Sequence, residues 1–381
     1  MTPLVLLFAL AFLISVDLRI LAPVLPSISE SLGCTAGTVG LAMTTYSLAY
    51  GTGQLFYGPL SDRLGRIAVV RAAGLGFSVC TVLASLSVTP SQFILARLLT
   101  GAFAGAVNPL TLVFIGDTVE YQRRQVVLGR FSVVTSAALA FSASIGGTVA
   151  YFVSWRLMLA GYAVLALIPV GLMWRLGTEE AKGVTQAPAR AARFTDFLRD
   201  RRAQLVYIAV AVEGFLLWGG ATYLGSFATV RHGLDQFSVG LLIALFGVGI
   251  MTGGLLVGVA RRWLSEGMLA GFGGASMGIA YLILIPRWPW PGFALSMLGL
   301  GLGYAGLHTT LQLRGTEISP TARGKAFSLF AFTLFGGIAV GTAVLAPLVD
   351  GGQYELLFAI AGVGLSLTGL GTALAPRHLT P

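Results

Sequence analysis

The sequence predicts an all-α membrane protein with twelve transmembrane helices arranged as two pseudo-symmetric bundles of six. Two observations predict it: apolar stretches of membrane-spanning length recur twelve times, and the second half echoes the first. The composition agrees, because 56% of the 381 residues are hydrophobic, only 10% are charged and the mean hydropathy is +0.84. So few charges cannot cover the surface of a soluble protein of this length, and this class is excluded.

Each predicted segment contains about twenty mostly apolar residues, the length at which a helix crosses a bilayer. The predicted bounds are 3–26, 37–60, 67–88, 92–115, 126–152, 156–175, 204–228, 236–260, 264–285, 291–313, 323–348 and 354–375. The polar stretch between the sixth and seventh segments is rich in Arg, Ala, Glu and Lys. We therefore expect bundles at 1–176 and 204–381, joined by a cytoplasmic linker at 177–203.

The positions of the basic residues predict that both termini are cytoplasmic. With the N-terminus inside, the opposite connections contain only Arg156, Arg231 and Arg287, whereas the cytoplasmic connections contain Arg63, Arg66, Arg123, Arg124, Arg130, Lys182, Arg261, Arg262, Arg323 and Lys325. This bias is the positive-inside rule. The net charge of +9 is then explained by topology, and nucleic acid is not expected as a partner, because the basic residues form no continuous stripe. The excess of Arg over Lys favours a bacterial inner (plasma) membrane.

A repeat with a shift of about 200 residues relates the two halves. Residues 116–124, Gly-Asp-Thr-Val-Glu-Tyr-Gln-Arg-Arg, resemble residues 315–323, Gly-Thr-Glu-Ile-Ser-Pro-Thr-Ala-Arg, and Phe131 then corresponds to Phe330. Such a tandem repeat is expected of a transporter built from two parallel halves.

The connection after segment 2 carries the most specific motif. Gly58, Asp62, Arg63, Gly65 and Arg66 occupy every defining position of G-x-x-x-D-R-x-G-R, and this stretch resembles the loop motif of the major facilitator superfamily. Asp62 at a helix end can pair with an arginine or accept helix N-terminal amides, and the two arginines can bind lipid phosphates. These charges could latch one face of the transporter, or they could only cap a helix and set topology.

Other stretches are similar to the drug:proton antiporter branch of that superfamily: Asp17 with Pro23-Val-Leu-Pro26, Arg97-Leu-Leu-Thr-Gly101, and Ser154-Trp155-Arg156. The resemblance implies a multidrug efflux transporter that needs no cofactor because the proton gradient drives it. One position departs from the branch, since Ser142-Ala143 precede Gly146-Gly147 where a Gly-Pro pair is usual.

Ionisable residues inside the predicted segments are candidates for proton coupling, because each costs about 2.5 to 3.5 kcal/mol to insert. Asp17 and Arg97 lie at comparable predicted depths and could form a buried ion pair. The repeat shift places Glu213 near the position in segment 7 that corresponds to Asp17, so one carboxylate from each half would flank a central cavity. Arg19 cannot share a helix face with Asp17, and we expect it to reach outward or to meet a neighbouring helix. Alternatively, Asp17 and Arg97 form a purely structural pair, and Glu213 only makes a hydrogen bond to a neighbouring helix.

Polar and aromatic residues at helical spacing are the candidates for the substrate cavity, although each could equally be a packing residue. On segment 10 they form an i, i+4, i+8 stripe. The candidates are Tyr46, Tyr50, Gln54, Asn108, Trp218, Tyr223, Tyr304, His308 and Gln312.

The sequence contains no nucleophile constellation, phosphate-binding loop or metal-binding motif, and we expect neither an enzyme nor a metal site. Cys34 and Cys80 are expected to be free thiols. The leading hypothesis is proton-coupled efflux (antiport) of small amphipathic or aromatic compounds by alternating access, by a monomer whose partners are its substrate, protons and membrane lipids. The alternatives are uptake, uniport or transport of a lipid-like substrate by the same fold, or a membrane sensor that transports nothing.

Overall fold

The computed structural model describes residues 2–175, 194–286, 288–319 and 322–375, and the regular elements in these ranges are all helical. The helices are α1 (Thr2–Asp17), α2 (Leu25–Leu32), α3 (Ala36–Leu64), α4 (Arg66–Ser85), α5 (Pro90–Ala104), α6 (Val107–Thr118), α7 (Tyr121–Phe152), α8 (Trp155–Arg175), α9 (Phe194–Arg199), α10 (Arg201–Glu213), α11 (Gly219–Ala221), α12 (Leu224–His232), α13 (Gln236–Ala260), α14 (Glu266–Ile283), α15 (Trp290–Glu317), α16 (Arg323–Asp350) and α17 (Tyr354–Leu374).

These helices form the twelve predicted segments, and three of the segments are interrupted. Segment 1 joins α1 to α2 through a short 3₁₀ turn at Ala22–Val24, and segment 4 joins α5 to α6. Segment 7 runs from α10 through a π-helix at Gly214–Trp218 into α11 and α12. The remaining segments are the single helices α3, α4, α7, α8, α13, α14, α15, α16 and α17.

Length and apolarity together qualify nine of the described segments as membrane spans. Segments 2, 9 and 10 fall outside that criterion, but their helices contain 29, 18 and 28 residues. At about 1.5 Å per residue even the shortest is about 27 Å long, close to the thickness of a bilayer core. The chain is therefore a multi-pass membrane protein, and the prediction of an all-α fold with twelve segments is confirmed.

The predicted linker lies mostly outside the described residues, as do Lys182, Arg287 and the side chain of Arg323. The described part of this linker is largely helical, because α9 and the first residues of α10 fall within it. The domain bounds therefore stay a prediction. Segment 1 also extends beyond its predicted end, to Leu32, and segment 10 extends to Glu317.

The two ends of the bundle are named here by their connections. The end that carries the turn between α3 and α4 is the motif end, and the opposite end, which carries residues 33–35, is the far end. At the motif end Gly65 connects the two helices with φ +91°, a conformation that side chains other than glycine rarely adopt. At the far end Thr35 and Asp235 begin their helices by accepting hydrogen bonds from the amides of Thr38 and Ser238.

The two halves meet along two long helix pairs, α3 with α16 and α7 with α13. In segment numbers these are 2 with 11 and 5 with 8, and a two-fold rotation that exchanges the halves exchanges the two pairs. In the α7–α13 pair a Cβ added to Gly147 would meet the backbone of Gln236 and Gly240. Glycine at such positions lets the two backbones come into contact.

Candidate functional site

Asp17 and Arg97 form a buried ion pair between segments 1 and 4. Nη1 of Arg97 donates to both carboxylate oxygens of Asp17 at 3.0 Å, and neither side chain is exposed. The guanidinium carbon lies 4.2 Å from the centroid of the Tyr46 ring. The predicted pair is therefore present. Nε and Nη2 of Arg97 are buried without a hydrogen-bond partner among the described residues, so the guanidinium is only partly satisfied.

Glu213 and His308 form a second buried pair between segments 7 and 10. Oε2 of Glu213 lies 2.9 Å from Nδ1 of His308, and the exposed fractions of the two side chains are 0% and 10%. The His308 ring stacks on Tyr304 with centroids 4.4 Å apart. Oε1 of Glu213 is buried and has no described partner. The sequence analysis placed both residues in the cavity but did not pair them.

The π-helix at Gly214–Trp218 begins directly after Glu213 and brings Trp218 towards the other half. Its ring packs edge-on against Phe246 and Tyr304, with centroids 5.2 and 5.3 Å apart. The guanidinium carbon of Arg19 lies 3.6 Å from the centroid of the same ring. Of the two expectations for Arg19, it is contact with a neighbouring helix that the structure shows. One turn of π-helix within an α-helix is typical of functional sites.

Asn108 links segments 1, 2 and 4 inside the first half. Its Nδ2 lies 3.3 Å from the hydroxyls of Ser15 and Tyr50, while its Oδ1 is buried without a described partner. The Tyr50 ring in turn contacts Phe335 of segment 11, with centroids 4.4 Å apart. A half-satisfied amide beside two aromatic rings at the boundary between the halves can accept a hydrogen bond from a ligand.

Three predicted cavity residues lie apart from the contacts just described around Arg97, His308, Trp218 and Asn108, which together are called the centre. Tyr223 is fully buried near the far end, where its hydroxyl donates to the carbonyl of Thr342 at 2.8 Å and joins segment 7 to segment 11. Gln312 is exposed and lines a groove between α13, α14 and α15, so the predicted stripe on segment 10 ends at His308. Gln54 is half-buried, and no hydrogen bond among the described residues joins its side chain to the centre.

The loop motif is held by ionic contacts at the motif end. Nη1 of Arg66 lies 2.5 Å from a carboxylate oxygen of Asp62 and donates to the hydroxyl of Ser61 at 2.5 Å, and its Nε donates to Asp117 at 3.3 Å. Arg63 is exposed. Arg66 thus ties the end of segment 2 to the end of segment 4, whereas Arg63 forms no ion pair within the part of the chain that the structure describes, and lipid binding by either arginine stays a prediction.

Comparison with known proteins identifies the fold family. Residues 7–342 match the Major Facilitator Superfamily. The chain belongs to this superfamily. A chloramphenicol resistance protein of Pseudomonas aeruginosa is 25% identical over 359 residues, covering 87% of this chain and 80% of that protein. Because the superfamily consists of transporters, the chain is a transporter and not an enzyme.

Two solved major facilitator structures have the same fold. The nucleoside transporter NupG, in a single-site mutant form, superposes with a TM-score of 0.78 at 16% identity, and the match covers 97% of this chain and 99% of that one. A D-xylose-proton symporter superposes with a TM-score of 0.77 at 17% identity, and the match covers 100% and 98%. The expected resemblance to the major facilitator fold is therefore confirmed.

Two polar residues of this major facilitator protein were missed from the sequence. Asp117 is the partner of Arg66 from segment 4, and its place near the end of an apolar stretch was the available signal. Arg314 in segment 10 is only 8% exposed and donates to the carbonyl of Thr372 at 3.2 Å. Its place directly after the predicted segment 10 was the available signal, because an arginine at membrane depth needs a partner.

Proposed function

We propose that this transporter is a proton-coupled exporter of small amphipathic or aromatic compounds in a bacterial inner membrane, with the motif end and both termini in the cytoplasm. The observation that supports coupling most directly is the contact between Glu213 and His308. Both partners can exchange a proton, they lie at membrane depth, and one carboxylate oxygen has no described partner.

The pair of Glu213 and His308 can gain or lose a proton, and each protonation state places a different net charge in the centre of the bundle. Charge in apolar surroundings is costly, so the preferred state depends on whether water or substrate reaches the site. When the cavity opens to the side of low pH, Glu213 and His308 together take up a proton. When it opens to the cytoplasm, the proton leaves and the cycle can repeat.

Asp17 and Arg97 are the second element of the proposed coupling. Arg97 balances the charge of the Asp17 carboxylate while the pair is intact. Displacement of Arg97 by substrate or by helix movement would leave the carboxylate buried alone, and protonation would then relieve it. The alternative is that this pair only holds segments 1 and 4 together.

Alternating access would use the two helix pairs between the halves. Rocking about segments 2 with 11 and 5 with 8 would open the motif end and the far end in turn. In this proposal a monomer surrounded by lipid suffices, and the proton gradient is the only energy source. Export is favoured over uptake by the relative that is named a chloramphenicol resistance protein.

Purified protein in liposomes that enclose a pH-sensitive dye tests this proposal. Chloramphenicol, the cation ethidium and the anion 2-naphthoate represent the three charge classes; added in turn on either side, at least one of them should evoke proton movement in the wild type. The movement should disappear in Glu213→Gln and Asp17→Asn. The matched control is Glu266→Gln, which removes an exposed carboxylate in a surface pair with Arg261.

The alternatives give different results. Substrate movement that continues after collapse of the pH gradient would indicate uniport, and undiminished proton flux in the core variants would remove both carboxylates from the mechanism. No movement of any compound would favour a membrane sensor.

A further inference from the structure

Arg19 is a positive charge in the centre of the protein without a negative partner among the described residues. Its guanidinium carbon lies over the ring of Trp218, and its Nε is buried without a hydrogen-bond partner. In the same part of the chain Asp17 is paired with Arg97 and Glu213 with His308. The centre therefore contains one cation that its own carboxylates do not neutralise.

The cavity wall beside Arg19 is apolar. It lines a cavity of about 30 Å³ whose other walls come from segments 1, 5, 7, 8 and 10, and include Ala22, Ala140, Ala143, Ile243 and Phe246. These side chains offer no acceptor. Contact with an aromatic face offsets only part of the hydration free energy that a guanidinium loses on leaving water. A ligand that places an anionic group next to Arg19 would offset more of this free energy.

Arg19 and Trp218 also occupy related positions in the two halves. Arg19 lies just after α1, in the interruption of segment 1, and Trp218 ends the π-helix that interrupts segment 7. The two positions are 199 residues apart, which is the shift of the sequence repeat. Interrupted segments in corresponding places of two halves are where transporters of this kind bind their substrates.

We infer that the substrates are organic anions, namely small aromatic compounds that carry a carboxylate or a group of similar single negative charge. The anionic group binds the guanidinium of Arg19, which presents two parallel N–H donors to a carboxylate. The aromatic part takes the place of the Arg19 contact on Trp218 and packs against Phe246 and Tyr304. This inference rests on the proposed transport function and adds the charge of the substrate.

Binding to the detergent-purified protein tests the inference without requiring transport. Three probes share one ring system and differ in charge: 2-naphthoate, 2-naphthamide and 2-naphthylmethylammonium. Titration calorimetry should show naphthoate binding at least about tenfold more tightly than either of the other two. Arg19→Gln should abolish the preference, and Arg19→Lys should keep part of it because the charge remains without the two-pronged geometry. Arg63→Gln, an exposed arginine of the loop motif, is the control and should bind like wild type.

Several outcomes would overturn the inference: the amide or the ammonium compound binding as tightly as naphthoate, undiminished naphthoate binding in Arg19→Gln, or no naphthoate binding at millimolar concentration. Should Arg19→Gln fail to fold, the wild-type series and Arg19→Lys still decide it. Naphthoate preference without any proton movement in liposomes would refute proton coupling and leave the anion site standing. Proton-coupled export of ethidium without naphthoate preference would refute the anion site and leave proton coupling standing.

Discussion

The carboxylate of Asp350 accepts hydrogen bonds from the backbone N–H of Gly37 at 2.8 Å and from the hydroxyl of Thr35 at 2.9 Å. A residue at the end of segment 11 thus caps the first turn of segment 2, which belongs to the other half. A helix N-terminus favours a negative charge, so this contact holds the two halves together at the far end.

Asp350→Asn should therefore weaken closure of the far end. A hydrogen bond to a charged group contributes about 1.5 to 3 kcal/mol, and the amide retains part of it, so we expect a loss of about 1 to 2 kcal/mol. Spin labels at the far-end positions Val88 and Gln353, in a background without native cysteines, would report a larger population of long distances. Asp235→Asn is the control, because Asp235 caps its own helix within one half. Equal distance distributions for both variants would contradict this role of Asp350.

Cys34 provides a pH-dependent measure of the same region. Burial, and then the negative charge of Asp350, raises the pKa of its thiol above the ordinary value. A raised pKa leaves less thiolate at any given pH, so labelling by a maleimide at about pH 7 should be slower than for a free thiol and should become faster as the pH rises. Asp350→Asn should speed labelling at neutral pH. A rate that matches that of a small thiol throughout would contradict the expectation.

The ion pair of Asp17 and Arg97 should be strongly asymmetric to mutation. Asp17→Asn leaves the guanidinium buried without a counter-charge, and the expected loss in the free energy of unfolding is about 3 to 5 kcal/mol. Replacing Arg97 by Met in the same molecule removes the stranded charge and should restore part of the melting temperature in detergent. Glu266→Gln, which breaks an exposed pair, should change the free energy by at most about 1 kcal/mol. A double variant less stable than Asp17→Asn alone would refute this account.

Gly225 lies where segment 7 closely approaches the backbone of segment 1. A Cβ at this position would meet the carbonyl oxygen of Ala22, which is backbone and cannot turn aside. Gly225→Ala should therefore cost about 1 to 3 kcal/mol and slow transport by preventing the far end from closing. The control is Gly258→Ala in α13, where nothing lies within 4 Å and alanine should favour the helix. Transport rates and melting temperatures that fall equally in both variants would rule out a specific contact.

The two motif arginines should differ in their effect on transport. Arg66 contacts Asp62, Ser61 and Asp117, whereas Arg63 is exposed. Arg66→Gln should slow substrate movement in liposomes several-fold, since partly exposed pairs contribute about 1 kcal/mol. Arg63→Gln should stay near the wild-type rate. The prediction fails if Arg63→Gln is the slower variant.

The sequence supports those conclusions that depend on distances along straight helices. Asp17 and Arg97 were expected to pair because their depths follow from counting residues from the segment ends. The partner of Glu213 did not follow in this way, since it depends on how segments 7 and 10 are rotated about their own axes. Gln312 shows the same limit, because eight residues turn a helix by about 80° beyond two full rotations and carry it away from Tyr304.

The interruptions of segments 1 and 7 could not be predicted from the sequence either. Hydropathy continues through both, because the residues of the π-helix, Gly214–Trp218, are as apolar as a regular span. A π-helix adds one residue to a turn, and its amino-acid composition does not distinguish it from an α-helix. Only the structure therefore shows that Trp218 is brought towards Arg19. The proposed coupling, the cytoplasmic location of the termini and the domain bounds stay predictions.

The unlike partners of the two central carboxylates have a consequence for the electrical balance of the cycle. Asp17 faces an arginine, which stays charged at every physiological pH, whereas Glu213 faces a histidine that can gain or lose its charge. While the arginine pair stays closed, we expect a stoichiometry of one proton per turnover, taken up at the histidine pair. Exchange of one proton for one monovalent anion would then move two charges across the membrane, so the interior-negative potential would drive export together with the pH gradient.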